Sequence, residues 1–173
     1  VSKVLSGDAA EELKPLPQGS ANMCVTSPPY YGLRDYGERG QIGLEQTPQE
    51  YIVRLTKVFD EVKRVLADDG TLWLNIGDTY ANKPYKSVKP KDLIGIPWML
   101  AFALRERGWY LRSDIIWNKT NALPEAVKDR PAKCYEHIFL FAKSPKYYFD
   151  YEAIQQPIKA VTAERYTRGR SGK

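Results

Sequence analysis

Cysteine is scarce in this 173-residue chain, and the scarcity excludes several kinds of protein. Cys24 and Cys134 cannot build a disulfide framework, nor, alone, a zinc site, so no metal is expected. No apolar run approaches the roughly 18 residues that a membrane-crossing helix needs. The apolar stretch at the start, around Val4-Leu5, is too short for a signal peptide. Internal repeats and long low-complexity segments are also absent. Cytoplasmic placement is the default that these absences leave.

Hydrophobic residues make up 43% of the chain and charged residues 27%, which suits one soluble domain with a real core. The formal net charge of +5 favours a polyanionic partner. The basic residues gather at the end, where Lys159, Arg165, Arg168, Arg170 and Lys173 face one acid, Glu164. On charge alone, such a tail is more often a solvated end than an interface.

Val4-Leu5-Ser6 reads as a short buried strand ending at Gly7-Asp8, and Ala9 to Leu13 as a helix stopped by Pro15-Leu16-Pro17. Met23 to Thr26 is a second strand, ended by the Pro28-Pro29 pair, which cannot donate to a ladder. A glycine-rich loop follows. Thr47-Pro48-Gln49-Glu50 is a capping box for a helix carrying Tyr51, Leu55, Val58, Val62 and Leu66 at helical spacing, with Asp69-Gly70 as its end. Thr71 to Ile76 is a strand closed by Gly77-Asp78. Pro97 opens a helix that Gly108 terminates. Strands centred on Ser113 to Trp117 and on His137 to Ala142 come close together, before a turn at Ser144-Pro145-Lys146. This order predicts an α/β fold with a mostly parallel sheet and an antiparallel edge hairpin. Ligands of such sheets sit beyond the carboxyl ends of the strands, which singles out Asp8, Ser27 to Tyr30, and Asn75 to Asp78.

Ser27-Pro28-Pro29-Tyr30 suits one kind of chemistry. The exocyclic amine of cytosine or adenine is a poor nucleophile, because its lone pair is delocalised into the ring. Two acceptors placed against its two protons help it turn tetrahedral. Ser27 offers a hydroxyl, and Pro28 a carbonyl on a stiff backbone. Preorganised groups of this kind act where charge develops in the transition state. Tyr30 offers a face on which a planar base stacks. The competing bland reading is a rigid turn with Tyr30 in the core.

Thr26-Ser27-Pro28-Pro29-Tyr30 resembles the catalytic motif of the DNA amino-methyltransferases, and its surroundings resemble the permuted beta class of that family. Leu5-Ser6-Gly7-Asp8-Ala9 resembles the family's opening, and Tyr31-Gly32-Leu33-Arg34-Asp35-Tyr36-Gly37 its post-motif loop. Gly70 to Tyr80, Ile96-Pro97-Trp98, Gly108-Trp109 and Ile116-Trp117-Asn118-Lys119 fall in the expected order, so the likeness covers roughly residues 4 to 150. It implies a permuted Rossmann-like fold and S-adenosylmethionine as cofactor. Ser27, Pro28, Pro29 and Tyr30 would be catalytic, holding the amine of a base flipped out of double-stranded DNA. Asp8 would accept from the amino group of the cofactor's adenine. Ser in first place favours cytosine N4 over adenine N6. Methyl transfer would be direct and needs no cysteine, so both cysteines read as core residues, as do Trp73, Trp98 and Trp117, and His137 reads as structural.

One part of the family pattern is missing. After residue 150 there is no glycine-rich cofactor loop, only Gly169 and Gly172. The resemblance implies that the absent stretch supplies two central strands, without which the sheet would have a gap and two bare edges. Residues 1–150 therefore read as the catalytic region, and 151–173 as the basic start of a DNA-recognition region. The chain reads as a fragment, or as one part of a split enzyme, that binds the cofactor weakly or not at all on its own. Its partners would be DNA, the remaining cofactor-binding half and, as an open question, a second copy of itself; no membrane is implied. Two rival readings remain: methylation of a protein side-chain amide, against which Ser27 and the motif order argue, and a catalytically inactive DNA-binding module.

Overall fold

A computed structural model describes residues 2–122 and 124–157 of the chain. The basic residues from Lys159 to Lys173 lie outside the described residues. Helix α1 spans Ala9–Leu13, strand β1 Ala21–Thr26, helix α2 Pro48–Val65 and strand β2 Leu66–Ile76. Helix α3 spans Ile96–Glu106, strand β3 Tyr110–Asn118 and strand β4 Tyr135–Ala142, with a short 3-10 turn at Glu152–Ile154.

The capping box forms as expected. The Thr47 hydroxyl accepts from the Glu50 amide at 3.2 Å, and the Glu50 carboxylate accepts from the Thr47 amide at 3.2 Å. Pro48 then fills the first helical position, where no amide donor is missed. Tyr51, Leu55, Phe59 and Val62 form the buried stripe of α2. The helix does not run to Asp69-Gly70. It stops at Val65, because Leu66 is already extended and pairs with Ala21 in β1. Asp69-Gly70 instead lies in an irregular stretch of β2, between the Ala21–Leu66 and Met23–Thr71 pairs. A Cβ on Gly70 would come within 2.9 Å of the Ala67 carbonyl oxygen, so this bend admits only glycine.

The four strands lie in the order β1-β2-β4-β3. β1 and β2 pair parallel, and β4 pairs antiparallel with both β2 and β3. The expected antiparallel hairpin is present, but its β4 arm is inserted between β2 and β3, so β3 forms the edge and antiparallel pairings predominate. This ladder has no gap, contrary to expectation, because Val4-Leu5-Ser6 forms no strand. No described strand pairs with that segment, and Val4 is 92% exposed. Gly108, in the left-handed conformation at φ 80°, follows the end of α3 as expected.

Leu72, Leu74 and Ile76 of β2, with Phe139 and Phe141 of β4, bury one face of the sheet against α2 and α3. The opposite face at β1 is bare, with Met23 58% and Val25 69% exposed. The chain after β4 turns back across this face without forming a strand, and the Tyr148 amide donates to the Asp69 carbonyl at 3.1 Å.

Candidate active site

The turn Ser27-Pro28-Pro29-Tyr30 leaves the carboxyl end of β1 and separates two cavities. Ser27, Pro28 and Pro29 wall an apolar one of about 440 Å³, completed by Leu5, Cys24, Ile42, Leu55 and Phe59 among others. Tyr30 walls a polar one of about 770 Å³ that includes Gly77, Asp78, Trp117, Lys119, Lys133 and Glu136. Both volumes are in the range of small-molecule sites.

The two prolines present their carbonyls differently. The Tyr51 hydroxyl donates to the Pro29 carbonyl at 2.8 Å, which ties the turn to α2. Among the described residues, no group donates to the Pro28 carbonyl. Ser27 is exposed, while Pro28, Pro29 and Tyr30 are half-buried. Tyr30 packs against the edge of the core and also walls the polar cavity.

Tyr30 is held at both ends of its side chain. A Cβ on Gly77 would lie 2.6 Å from Cε2 of the ring, so the ring occupies space that only glycine leaves free. The Tyr30 hydroxyl donates to Glu136 Oε2 at 2.9 Å and lies 3.3 Å from Asn75 Oδ1. The Ser27 hydroxyl donates to the Tyr30 oxygen at 3.3 Å. Lys119 forms an ion pair with the other Glu136 oxygen. Burial pushes the Tyr30 phenol up to about 12; the Ser27 bond opposes that and Glu136 adds to it. Burial alone would raise the Glu136 carboxyl, but Lys119, Tyr30 and Asn75 outweigh it and hold it below the usual range.

The post-motif loop is tied down. The Arg54 guanidinium of α2 donates to the Gln41 carbonyl at 2.9 Å and the Gly40 carbonyl at 2.6 Å, and pairs with Glu45. Gly43, at φ 109°, brings its backbone against the turn, where a Cβ would meet the Tyr30 carbonyl oxygen at 3.0 Å. Asp35 caps the Gly37 amide at 2.8 Å rather than pairing with Arg34.

Several single residues fall differently from their sequence expectations. Asp8 ends no strand; it caps α1, accepting through Oδ1 from the Ala10 amide at 2.9 Å, while its neighbours Gly7 and Ala9 line the apolar cavity. Asp78 has two roles. It lines the polar cavity, and its carboxylate accepts from the Gly95 and Ile96 amides at 3.0 Å, fixing the start of α3. Trp117, expected in the core, is 51% exposed because edge strand β3 has no outer neighbour. Cys134, also expected in the core, is exposed because it precedes β4. Cys24 is half-buried, and burial pushes its thiol up. His137 is structural, bonded to Asp114 at 2.9 Å and stacked on Phe139. Lys133, in the wall of the polar cavity, donates through Nζ to the Asp78 carbonyl at 3.3 Å, and Arg130 lies outside that wall, 3.7 Å from the centre of the Tyr80 ring. Among the described residues no group of His, Cys, Asp and Glu could hold a metal, and no helix is long and apolar enough to cross a membrane.

Sequence reasoning missed Glu136 and the packing role of Gly77. Lys119 lies in the family-like stretch Ile116-Trp117-Asn118-Lys119, which by itself gives it no role. Glu136 carries no local signal, since it is one acidic residue at the start of an apolar strand, 106 residues from its partner Tyr30.

A family profile described as DNA methylase matches residues 21–173. The type II methyltransferase M.XycI of Xanthomonas campestris pv. cyanopsidis is 54% identical, over 90% of this chain and 59% of its own length. The type II methyltransferase M.SmaI of Serratia marcescens is 50% identical, over 96% of this chain and 64% of its own. The chain thus spans about three fifths of the length of these relatives. Among solved structures, a cytosine-N4-specific PvuII DNA methyltransferase superposes with a TM-score of 0.68 at 19% identity, over 86% of this chain and 51% of that one. A putative DNA modification methylase of Thermus thermophilus, complexed with S-adenosyl-L-methionine, superposes with a TM-score of 0.62 at 27% identity, over 85% of this chain and 55% of that one. The fold is the Rossmann-like one of these methyltransferases.

Proposed function

This chain belongs to the DNA methylase family, and on that premise we propose that it is the catalytic part of a type II DNA methyltransferase acting on cytosine N4. The reading is carried by the turn itself. Ser27 and the Pro28 carbonyl stand open as acceptors, while the neighbouring Pro29 carbonyl is taken by Tyr51. A flipped base would enter the polar cavity and stack on Tyr30, a contact worth about 1–3 kcal/mol per base. That offsets part of the few kcal/mol spent in unstacking it. Its amine would present one proton to Ser27 Oγ and one to the Pro28 carbonyl, which localises the nitrogen lone pair for attack.

The apolar cavity on the other side of the turn fits the cofactor. Its walls are mainly apolar, and the Glu12 carboxylate folds over Gly7 at the rim, where a Cβ would meet Oε1 at 2.6 Å. Such a lining suits a cation with an apolar body. S-adenosylmethionine, bound there, supplies the methyl group as a sulfonium electrophile. Ser27, Pro28 and Pro29 would wall it, and Asp8, with Oδ2 outside the α1 cap, would take the adenine amino group. A cofactor-binding half would pair on the open edge of β1 and cover Met23 and Val25, removing exposed apolar surface. Residues 1–150 would form the catalytic region and 151–173 the start of the DNA-recognition region.

Cytosine is favoured over adenine by serine in first place of the motif. The test is transfer of labelled methyl from S-adenosylmethionine to duplex DNA by the complete gene product, followed by digestion to nucleosides. Label in N4-methylcytosine is the expected result, and label in N6-methyladenine would move the assignment to adenine. Label in protein would overturn the reading. DNA binding without any label would identify an inactive binding module.

A further inference from the structure

We infer that Glu136, held by Lys119, is a positioning residue for methyl transfer: it fixes the Tyr30 hydroxyl as the acceptor of the Ser27 proton, and so keeps the Ser27 lone pairs toward the target amine. The inference rests on the reading proposed above. A phenol has one proton to give. Of the two acceptors near the Tyr30 oxygen, Glu136 Oε2 is closer, at 2.9 Å against 3.3 Å for Asn75 Oδ1. An ionised carboxylate only accepts, so the Tyr30 proton points at Glu136.

With that proton committed, the Tyr30 oxygen can only accept from Ser27, 3.3 Å away. The Ser27 proton is thereby aimed away from the substrate, and both remaining lone pairs face outward. A serine free to rotate would spend part of its time offering a proton to the amine, which already has two protons and needs acceptors. Lys119 keeps Glu136 in the acceptor form by pairing with the second carboxylate oxygen. Its own backbone is fixed, since the Lys119 amide donates to the Cys134 carbonyl at 2.7 Å. The device thus spans the ends of β1, β3 and β4. No group in it need touch the base except Ser27 and Tyr30.

The competing role for Glu136 is purely structural, a tie between β3 and β4 through Lys119. Kinetics of the complete gene product separate the two. In Glu136→Gln, Lys119 retains the amide oxygen and the amide nitrogen turns to Tyr30. The phenolic proton is then released to Ser27 Oγ or Asn75 Oδ1, each 3.3 Å away, and Ser27 is no longer held as a donor to Tyr30. We expect kcat to fall about ten- to hundredfold, with KM for DNA and for S-adenosylmethionine within about twofold of wild type. In a Tyr30→Phe background the same substitution should cost nothing further, because the link to Ser27 is already gone. A Ser27→Ala background should absorb it equally, and both cycles compare enzymes of matched melting temperature. Losses that multiply in the double variants, a rise in KM at constant kcat, or wild-type kcat in Glu136→Gln would each overturn the inference while leaving the proposed function standing. A wild-type enzyme that labels no DNA would remove both.

Discussion

Ser27, Pro28 and Pro29 face a cavity walled by Cys24, Ile42, Leu55 and Phe59, whereas Tyr30 faces one in which Asp78, Lys119 and Glu136 are all engaged in polar contacts. The apolar side needs volume. Its walls make dispersion contacts that another aliphatic group of similar size would make nearly as well. The polar side needs directions. Each hydrogen bond there fixes the next, and the chain ends on the oxygen proposed to meet the substrate. Four consecutive residues therefore sit between a tolerant wall and an intolerant one.

The comparison would break first at Ser27. Ser27→Ala removes one preorganised acceptor and no buried contact, since Ser27 is exposed. A fall in kcat of about 10²–10³ is expected, with the unfolding midpoint unchanged. Next is Gly77→Ala, whose Cβ would arrive 2.6 Å from Tyr30 Cε2 and displace the ring. A misplacement of that order costs up to about 10²-fold in rate. Steady-state kinetics and a melting curve for each variant check both; full activity in Gly77→Ala would show that the Tyr30 ring needs no fixed seat.

On the tolerant side, Leu55→Met exchanges one flexible apolar wall for another. Less than about 1.5 kcal/mol of stability and only a few-fold of kcat should be lost, measured by urea denaturation and turnover. A larger loss of rate would mean that the apolar cavity is shaped as strictly as the polar one. Thr47→Ala lies outside both cavities and deletes only the α2 cap, at a cost of about 1 kcal/mol with kcat unchanged.

The same contrast explains what was legible in the sequence. Thr47-Pro48-Gln49-Glu50 announces α2 because a cap is a local event, with both partners three residues apart. The Ser-Pro-Pro-Tyr turn was legible for the same reason. Val4-Leu5-Ser6 was misread because strand composition forms a strand only where another strand offers a ladder, and composition does not name the partner. The inserted position of β4 also escaped local reading, since the order of strands is set by long-range pairing. Glu136 and Gly77 were invisible as site residues because their meaning lies in Tyr30, a residue distant in sequence. Asn75 and Asp78 fall between these cases: the end of β2 marks both as near the site, but only the fold separates Asn75, beside Tyr30, from Asp78, which also holds the start of α3.

The smallest expected effect concerns the Tyr30 proton, and its sign follows from burial. The phenol is pushed up to about 12 in the folded chain, chiefly by desolvation, against an ordinary value of 10.0. Between those values the unfolded tyrosine has lost its proton and the folded one has kept it. Ionisation therefore favours the unfolded chain, and the stabilisation is complete below pH 10 and is lost as pH rises through about 12. Tyr51 is shifted in the same direction by deeper burial. Tyr30→Phe should thus flatten, but not abolish, the decline of unfolding free energy measured by denaturant titration at pH 9 and above. Because Tyr30 is only half-buried, solvent screening keeps the difference small. A slope identical in wild type and Tyr30→Phe would mean that the phenol is not desolvated in the folded chain, and that the polar cavity is as permissive as its apolar neighbour.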